Sequence, residues 1–353
     1  MRQDIKGLTR QNLESLLVKE GFPKFSSSQI FNWVYKKGTE DFSLMSNLSN
    51  RLKKHLGEKF YLSGIKVMKR EKSSDRTEKF LFKLKDSSFI ETVLIPEPKR
   101  NTLCLSSQAG CRFKCAFCVS GAGGFKRDLS VSEMINQYLE IGRLIHPLKV
   151  TNIVFMGVGE PLDNYNNVIK AVRIFMDGQG VYLGKRKVCI STSGIIPKIY
   201  SLAELGLGVR LSVSLHSAFN SVRSRIMPVN RKYPLPELMK SLKFFIKKER
   251  FPVTFEYLLI KGVNSSLKDA DKLASLAKSL PCKINLIPYN PSPFFDWQAP
   301  LKEDVTIFKD RLKSKGVFST LRRARGRDIS AACGQLKAEI FLRKGVDSLD
   351  NKC

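Results

Sequence analysis

Three cysteines, Cys111, Cys115 and Cys118, fall within the run Cys-Arg-Phe-Lys-Cys-Ala-Phe-Cys, and no fourth cysteine stands beside them. Closed zinc sites and ordinary iron–sulfur sites take four protein ligands, so a compact set of three implies a metal centre with one position left open for chemistry. With 8 cysteines in 353 residues, chance would produce this spacing roughly 0.004 times per chain. Four polar motifs share a different property. Met156-Gly157-Val158-Gly159-Glu160-Pro161, Ser191-Thr192-Ser193-Gly194, Ser214-Leu215-His216 and Pro288-Tyr289-Asn290 each end or follow an apolar run. Taken singly they have ordinary readings: a turn, a helix cap, a hydrogen-bonded histidine. At the ends of successive strands they imply one ligand-binding mouth. Zinc, with His216 or another cysteine as fourth ligand, is the competing metal reading.

The elements that must position these residues follow from periodicity. From Thr102 onward strands and helices alternate. Strands are expected at Leu103–Ser106, Asn152–Met156, Lys187–Thr192, Arg210–Leu215, Val253–Ile260 and Lys283–Ile287. Amphipathic helices at Val131–Leu144, Asn166–Met176, Leu235–Lys247, Leu267–Leu280 and Glu303–Lys315 lie between or after them. Repeated strand–helix units predict an α/β fold with a parallel sheet, right-handed crossovers and a partial (βα)6 barrel, whose ligands gather at the C-terminal strand ends. The cysteine loop follows the first barrel strand. Residues 1–75 read as a small helical accessory domain with helices at Asn12–Glu20, Ser27–Lys37 and Ser46–Leu56. Residues 76–100 read as a β-hairpin linker, residues 101–345 as the barrel and residues 346–353 as a C-terminal tail.

Composition narrows the setting. An apolar fraction of 42% argues against disorder. No continuous apolar run of membrane-spanning length occurs, and the start lacks a signal-peptide core, so the expectation is a cytoplasmic protein without a membrane partner, its thiols kept reduced. Lys and Arg outnumber Asp and Glu by 61 to 32, a net charge of +29, which points to a polyanionic partner, nucleic acid rather than a lipid surface. The basic run Leu321-Arg322-Arg323-Ala324-Arg325-Gly326-Arg327 is the clearest candidate contact, with the N-terminal helical unit as a second. Nothing demands more than a monomer.

The Cys-x3-Cys-x2-Cys loop after the first strand of a partial barrel resembles the signature of radical S-adenosylmethionine (SAM) enzymes. The surrounding motifs are similar to those of the methyltransferases that modify an adenine carbon in ribosomal RNA. The resemblance spans nearly the whole chain, including Glu91-Thr92-Val93-Leu94-Ile95-Pro96, Thr102-Leu103-Cys104-Leu105-Ser106-Ser107-Gln108 and Asp328-Ile329-Ser330-Ala331-Ala332-Cys333-Gly334-Gln335-Leu336. After the third cysteine the family usually has Thr-Gly, where Ser120-Gly121 stands here and keeps the hydroxyl.

The resemblance implies that Cys111, Cys115 and Cys118 hold a [4Fe–4S] cluster whose fourth iron takes the amino and carboxylate groups of SAM. It implies that Gly159 and Glu160 orient the SAM amino group, with Ser191, Ser214, Leu215, His216 and Asn290 on its other polar groups. Cys333 would be the methyl carrier, Cys104 the thiol that resolves the RNA adduct through a transient disulfide with Cys333, and Glu91 the proton acceptor. The implied partners are 23S rRNA, transfer RNA and an electron donor such as flavodoxin or ferredoxin. A radical route suits adenine C2, an electron-poor carbon between two ring nitrogens that will not attack a sulfonium by displacement. Composition alone would leave Cys104, Cys189 and Cys282 as structural thiols and Cys353 as a terminal one. Two alternatives stand beside the C2 reading: the related C8 methyltransferase of antibiotic resistance, and a non-catalytic RNA-binding protein with a structural metal.

Overall fold

The alternating strands and helices assemble onto one ten-stranded mixed sheet in the computed structural model, which describes residues 2–336. Cys353, the expected tail and the last residues assigned to the barrel lie outside the described residues. In chain order, β1 (Gln3–Asp4) and β2 (Phe60–Tyr61) form a short parallel pair that brackets the helices Arg10–Lys19, Ser26–Phe31 and Asn50–Lys59. Next come β3 (Lys66–Lys72), β4 (Glu78–Lys83), β5 (Phe89–Glu97) and β6 (Arg100–Cys104), an antiparallel meander. Then β7 (Gln108–Gly110) and β8 (Phe125–Asp128) pair across the base of the cysteine loop. The strands β9 (Asn152–Phe155), β10 (Val188–Thr192), β11 (Arg210–Ser214), β12 (Val253–Leu259), β13 (Cys282–Pro288) and β14 (Ser319–Leu321) follow. All six run parallel to β6, and the sheet order is β14-β13-β12-β11-β10-β9-β6-β5-β4-β3.

The six expected barrel strands are present, and two features differ. The short strand β14 adds a seventh parallel member. The strand β3 lies within the span expected to be helical, yet it extends the main sheet. Its sequence, Lys-Val-Met-Lys-Arg-Glu-Lys, lacks apolar alternation because it is an exposed edge, where charge rather than burial shapes composition. The sheet ends at β14 on one side and β3 on the other without closing, so the barrel is open.

Period-two alternation divides each strand between two environments. Ile190, Val213, Phe255 and Leu286 are buried in the main core, beneath the crossover helices. The intervening Ser191, Ser214 and Glu256 line the concave side. Helix starts are fixed by reciprocal caps, Ser130 with Glu133 and Ser266 with Asp269. The N-terminal helical part is tied to the sheet layer by Arg10 to Asp177 at 3.0 Å and by Lys6 Nζ to Asn136 at 3.0 Å. No helix among the described residues is long and apolar enough to cross a membrane.

The cysteine loop hangs from the β7–β8 pair. Gly110 has φ +76°, and a Cβ there would lie 2.0 Å from the carbonyl oxygen of Gly124. Gly110→Ala should therefore cost on the order of 2–3 kcal/mol, since the close neighbour is backbone and the left-handed conformation disfavours a side chain. Gly57→Ala, in an open helical position with nothing within 4 Å, should be neutral or stabilising. Thermal denaturation of the two variants checks the contrast; equal midpoints would contradict it.

Candidate active site

One cavity at the C-terminal ends of the parallel strands gathers nearly every residue singled out above. Cys111, Cys115 and Cys118 line one wall, and Gly159, Glu160, Ser191, Ser214, His216 and Asn290 line the strand ends. Cys104, at the end of β6, and Cys333, in the loop after β14, also face it. The cysteine loop is pinned by backbone bonds to three separate segments: Cys111 N–H to Gly124, Ala116 N–H to Ile226 at 2.9 Å, and Val119 N–H to Gly334 at 2.8 Å. The last of these ties it directly to the Cys333 loop, and the Ser120 hydroxyl donates to the Leu336 carbonyl at 3.0 Å.

Burial dominates the chemistry of the three thiols. It pushes Cys111 up to about 12, and it lifts Cys115 and Cys118, with each neighbouring sulfur adding to the penalty on a negative charge. A set of thiols this hard to ionise suits a metal that binds the thiolates and displaces their protons. Among the described residues no three His, Cys, Asp or Glu side chains converge as a single ion would require. Cys104 and Cys333 are both free thiols, so no standing disulfide links them.

Glu160 is buried and held by backbone: Ser193 N–H donates to Oε2 at 2.7 Å and Leu162 N–H to Oε1 at 3.0 Å. Burial raises its pKa despite these bonds, and a cation arriving in the cavity would favour the ionised form. Gly159, at φ +103°, allows this approach, because a Cβ would lie 2.5 Å from the side chain of Gln108. His216 accepts from Leu258 N–H through Nδ1 at 3.0 Å, which leaves its Nε2 as the proton-bearing nitrogen. Burial and the nearby Arg223 push it down to about 3, so it is a neutral hydrogen-bonding group. The Ser193 hydroxyl, the Asn290 amide nitrogen and Glu256 Oε2 are buried without hydrogen-bond partners. All three residues line the cavity, a pattern suited to a polar ligand.

Two expected positions differ from the rest. The Leu215 side chain is fully buried in the core and is absent from the cavity wall; only its backbone contributes, donating to the Glu256 carbonyl at 3.0 Å. Glu91 is buried on β5 and does not line the cavity. It lies on the same strand face as Val93 and Ile95, which do, and its carboxylate pairs with buried Lys79 at 3.4 Å. The basic run also divides. Arg323 and Arg327 are exposed, Arg325 stands 4.0 Å from Asp75, and Arg322 turns inward. Arg322, Arg323 and Arg325 all line the cavity, and the Arg322 side chain keeps 31% exposure.

Sequence reasoning missed Arg223, Gln108, Asn264 and Glu256. Arg223 is fully buried and ties the strand ends together. Its Nη2 donates to the carbonyls of Ser193 at 2.6 Å and Ser214 at 3.1 Å, its Nε to Leu215 at 3.1 Å, and its Nη1 to Asn230 at 2.6 Å. Gln108 accepts from Glu160 N–H at 2.9 Å, and Asn264 bridges the His216 and Leu258 carbonyls at 2.6 Å each. In Asn-Ser-Val-Arg-Ser-Arg-Ile nothing marks Arg223 rather than Arg225 as the buried arginine.

The radical SAM superfamily model matches residues 105–274, and the model of the ribosomal RNA large subunit methyltransferase N-terminal domain matches residues 3–62. A Bacillus cereus protein named probable dual-specificity RNA methyltransferase RlmN is 41% identical over 96% of this chain and 94% of its own length. A Bacillus mycoides protein of the same name is 40% identical over the same shares. Among solved structures, a radical SAM methyltransferase from Sphaerobacter thermophilus superposes with a TM-score of 0.89 at 39% identity, covering 96% of this chain and 100% of that one. The radical SAM fold carries a [4Fe–4S] cluster and SAM. Three thiols of one loop, beside a buried carboxylate and polar groups without partners among the described residues, fit that pair.

Arg223→Met should remove the guanidinium donors from the Ser193 and Ser214 carbonyls, while Leu215 keeps the Ser217 N–H at 2.7 Å, and lower stability by about 3–5 kcal/mol. Chemical denaturation would measure it; a loss below about 1 kcal/mol would mean that the strand ends do not depend on this guanidinium.

Proposed function

The chain belongs to the RlmN family of radical SAM RNA methyltransferases, and we propose that it methylates C2 of an adenine in 23S rRNA, and of an adenine in transfer RNA, using two SAM molecules per turnover. The observation that carries this reading is the presence of two free thiols, Cys104 and Cys333, in the same cavity as the three-cysteine loop. An ordinary SAM-dependent transfer to a nucleophile needs neither thiol. When bound, the cluster and SAM supply a methyl group and a carbon-centred radical.

The chain's own residues divide the remaining work. Cys111, Cys115 and Cys118 hold three irons. Glu160 accepts hydrogen bonds from the amino group of SAM, a charge-assisted pairing, and Gly159 lets it approach. Ser191, Ser214, His216 and Asn290 orient the other polar groups, and Leu215 takes part through its backbone. Cys333, exposed on its loop, carries the methyl group to the base. Glu91 accepts the C2 proton, with Lys79 balancing its charge. Cys104 then attacks the Cys333 sulfur, and the resulting disulfide lasts only until it is reduced. An electron donor such as flavodoxin or ferredoxin completes the cycle. The exposed Arg323 and Arg327, the basic edge strand β3 and the N-terminal domain offer the RNA a phosphate-binding surface. We place the enzyme in the cytoplasm as a monomer, with residues 1–75 as the accessory domain, 76–100 as the linker, 101–345 as the catalytic barrel and 346–353 as the tail.

Cys333→Ala should abolish RNA methylation while the iron–sulfur absorbance and SAM cleavage persist. Cys104→Ala should instead accumulate a covalent protein–RNA species, visible on a denaturing gel. Co-chromatography of the modified nucleoside with 2-methyladenosine and 8-methyladenosine standards distinguishes C2 from C8 product. Free, fully methylated RNA formed at the normal rate by either variant would sink the carrier scheme.

A further inference from the structure

Arg322 opens an arginine-rich run and is half-buried, its side chain 31% exposed. Its backbone N–H donates to the Leu286 carbonyl at 2.9 Å, which anchors it on the sheet, and its side chain enters the cavity. There Nη1 lies 3.7 Å from Glu256 Oε2 and 3.8 Å from the Met156 sulfur. Glu256 is itself fixed from below: the Ser212 hydroxyl donates to Oε1 at 2.8 Å and the Asn285 amide at 3.0 Å. No other protein group hydrogen-bonds its Oε2. The titratable groups that face Arg322 come from every neighbouring element: Cys333 from its loop, Glu256 from β12, Cys104 from β6, Cys189 from β10 and Glu97 from β5.

We propose that Arg322, held in place by Glu256, is a positioning residue that sets a positive charge against the resolving thiol Cys104 and so speeds release of the methylated base. The inference rests on the carrier role of Cys333. In the step concerned, the Cys104 thiolate bonds to the Cys333 sulfur. The bond from that sulfur to the methylene carbon breaks with its electron pair on carbon, and the carbon takes up a proton to become the methyl group. Two sulfurs are oxidised to a disulfide, the carbon is reduced, and a dithiol reductant later restores both thiols. The thiolate is the reacting form, and the surroundings oppose it. Burial first, and the Cys333 sulfur second, push Cys104 up to about 12. Arg322 is the one side chain that acts in the opposite direction on Cys104, aided by the Met156 backbone. Met156, whose sulfur lies 3.8 Å from Arg322, also packs against the apolar cluster that holds Cys104, so guanidinium and thiol share one wall of the cavity.

Single-turnover reactions of the reconstituted full chain with an RNA fragment test this through a ratio: covalent protein–RNA species over released methylated RNA. That ratio is insensitive to slower cluster loading or slower methylation of Cys333. Arg322→Gln should raise it on the order of tenfold, the effect of about one pKa unit on the thiolate population, and Arg322→Lys should recover part of the loss. Glu256→Gln, which keeps the arginine but loosens its anchor, should raise it less. A second readout needs no turnover: in the Cys333→Ala background, Arg322→Gln should slow alkylation of Cys104 at neutral pH by a similar factor. An unchanged ratio and unchanged alkylation, with weaker RNA binding, would overturn the proposal and return Arg322 to the RNA surface. Absence of any covalent species in Cys104→Ala would overturn the carrier reading and this inference together.

Discussion

The rim of the cavity depends on one buried guanidinium. Arg223 draws the carbonyls of Ser193, Ser214 and Leu215 toward a single point, and Asn230 completes its shell. These carbonyls end two adjacent parallel strands, β10 and β11, whose own ladder gives out there. A backbone acceptor buried beyond the end of its ladder costs free energy unless another donor reaches it. One arginine supplies several donors in a rigid plane, so the strand ends cannot move independently. Burial lowers its pKa to about 10, which still leaves it charged near neutrality. The same fixed Ser193 gives its N–H to Glu160, so the orientation of that carboxylate is inherited from Arg223.

Against this rigid rim the cavity keeps polar atoms that the protein does not satisfy. Ser193 Oγ, Asn290 Nδ2 and Glu256 Oε2, without hydrogen-bond partners among the described residues, carry the desolvation penalty that folding normally avoids. Stability is given up locally so that a ligand finds its partners already in position. The carrier loop follows the same logic. Val119 and Ser120 hold its far end, while Ser73 and the Ser74 N–H grip Asp328, and Asp75 accepts from Gly326 N–H at 3.1 Å. The turn between β3 and β4 thus fastens the hairpin extension to the loop that bears Cys333.

Electrostatics act at two scales. The net charge of +29 is a long-range property that favours a polyanion and weakens with salt. Inside the cavity single charges matter because the surroundings are apolar. Arg322 and Arg323 are neighbours in sequence and both line the cavity, yet Arg322 meets sulfur and carboxylate while Arg323 is the more exposed.

The sequence alone determined the chemistry class and most of the scaffold. The three-cysteine loop, the Gly-Glu-Pro turn and the Ser-Leu-His segment are local patterns, legible because spacing along the chain sets which ligands can meet. The six barrel strands were legible because each is a short run rich in apolar and β-branched residues set between amphipathic helices. Strand β3 escaped notice because an exposed edge strand has no apolar face, and β14 because three residues carry little pattern. Tertiary structure decided the rest: that Arg223 is a buried tie, that Arg322 faces inward, that Glu256 is left with an unpaired oxygen, and that Glu91 sits behind the cavity wall with Lys79. Each depends on contacts between residues far apart in the chain, and a side chain's type does not reveal which way the fold will turn it.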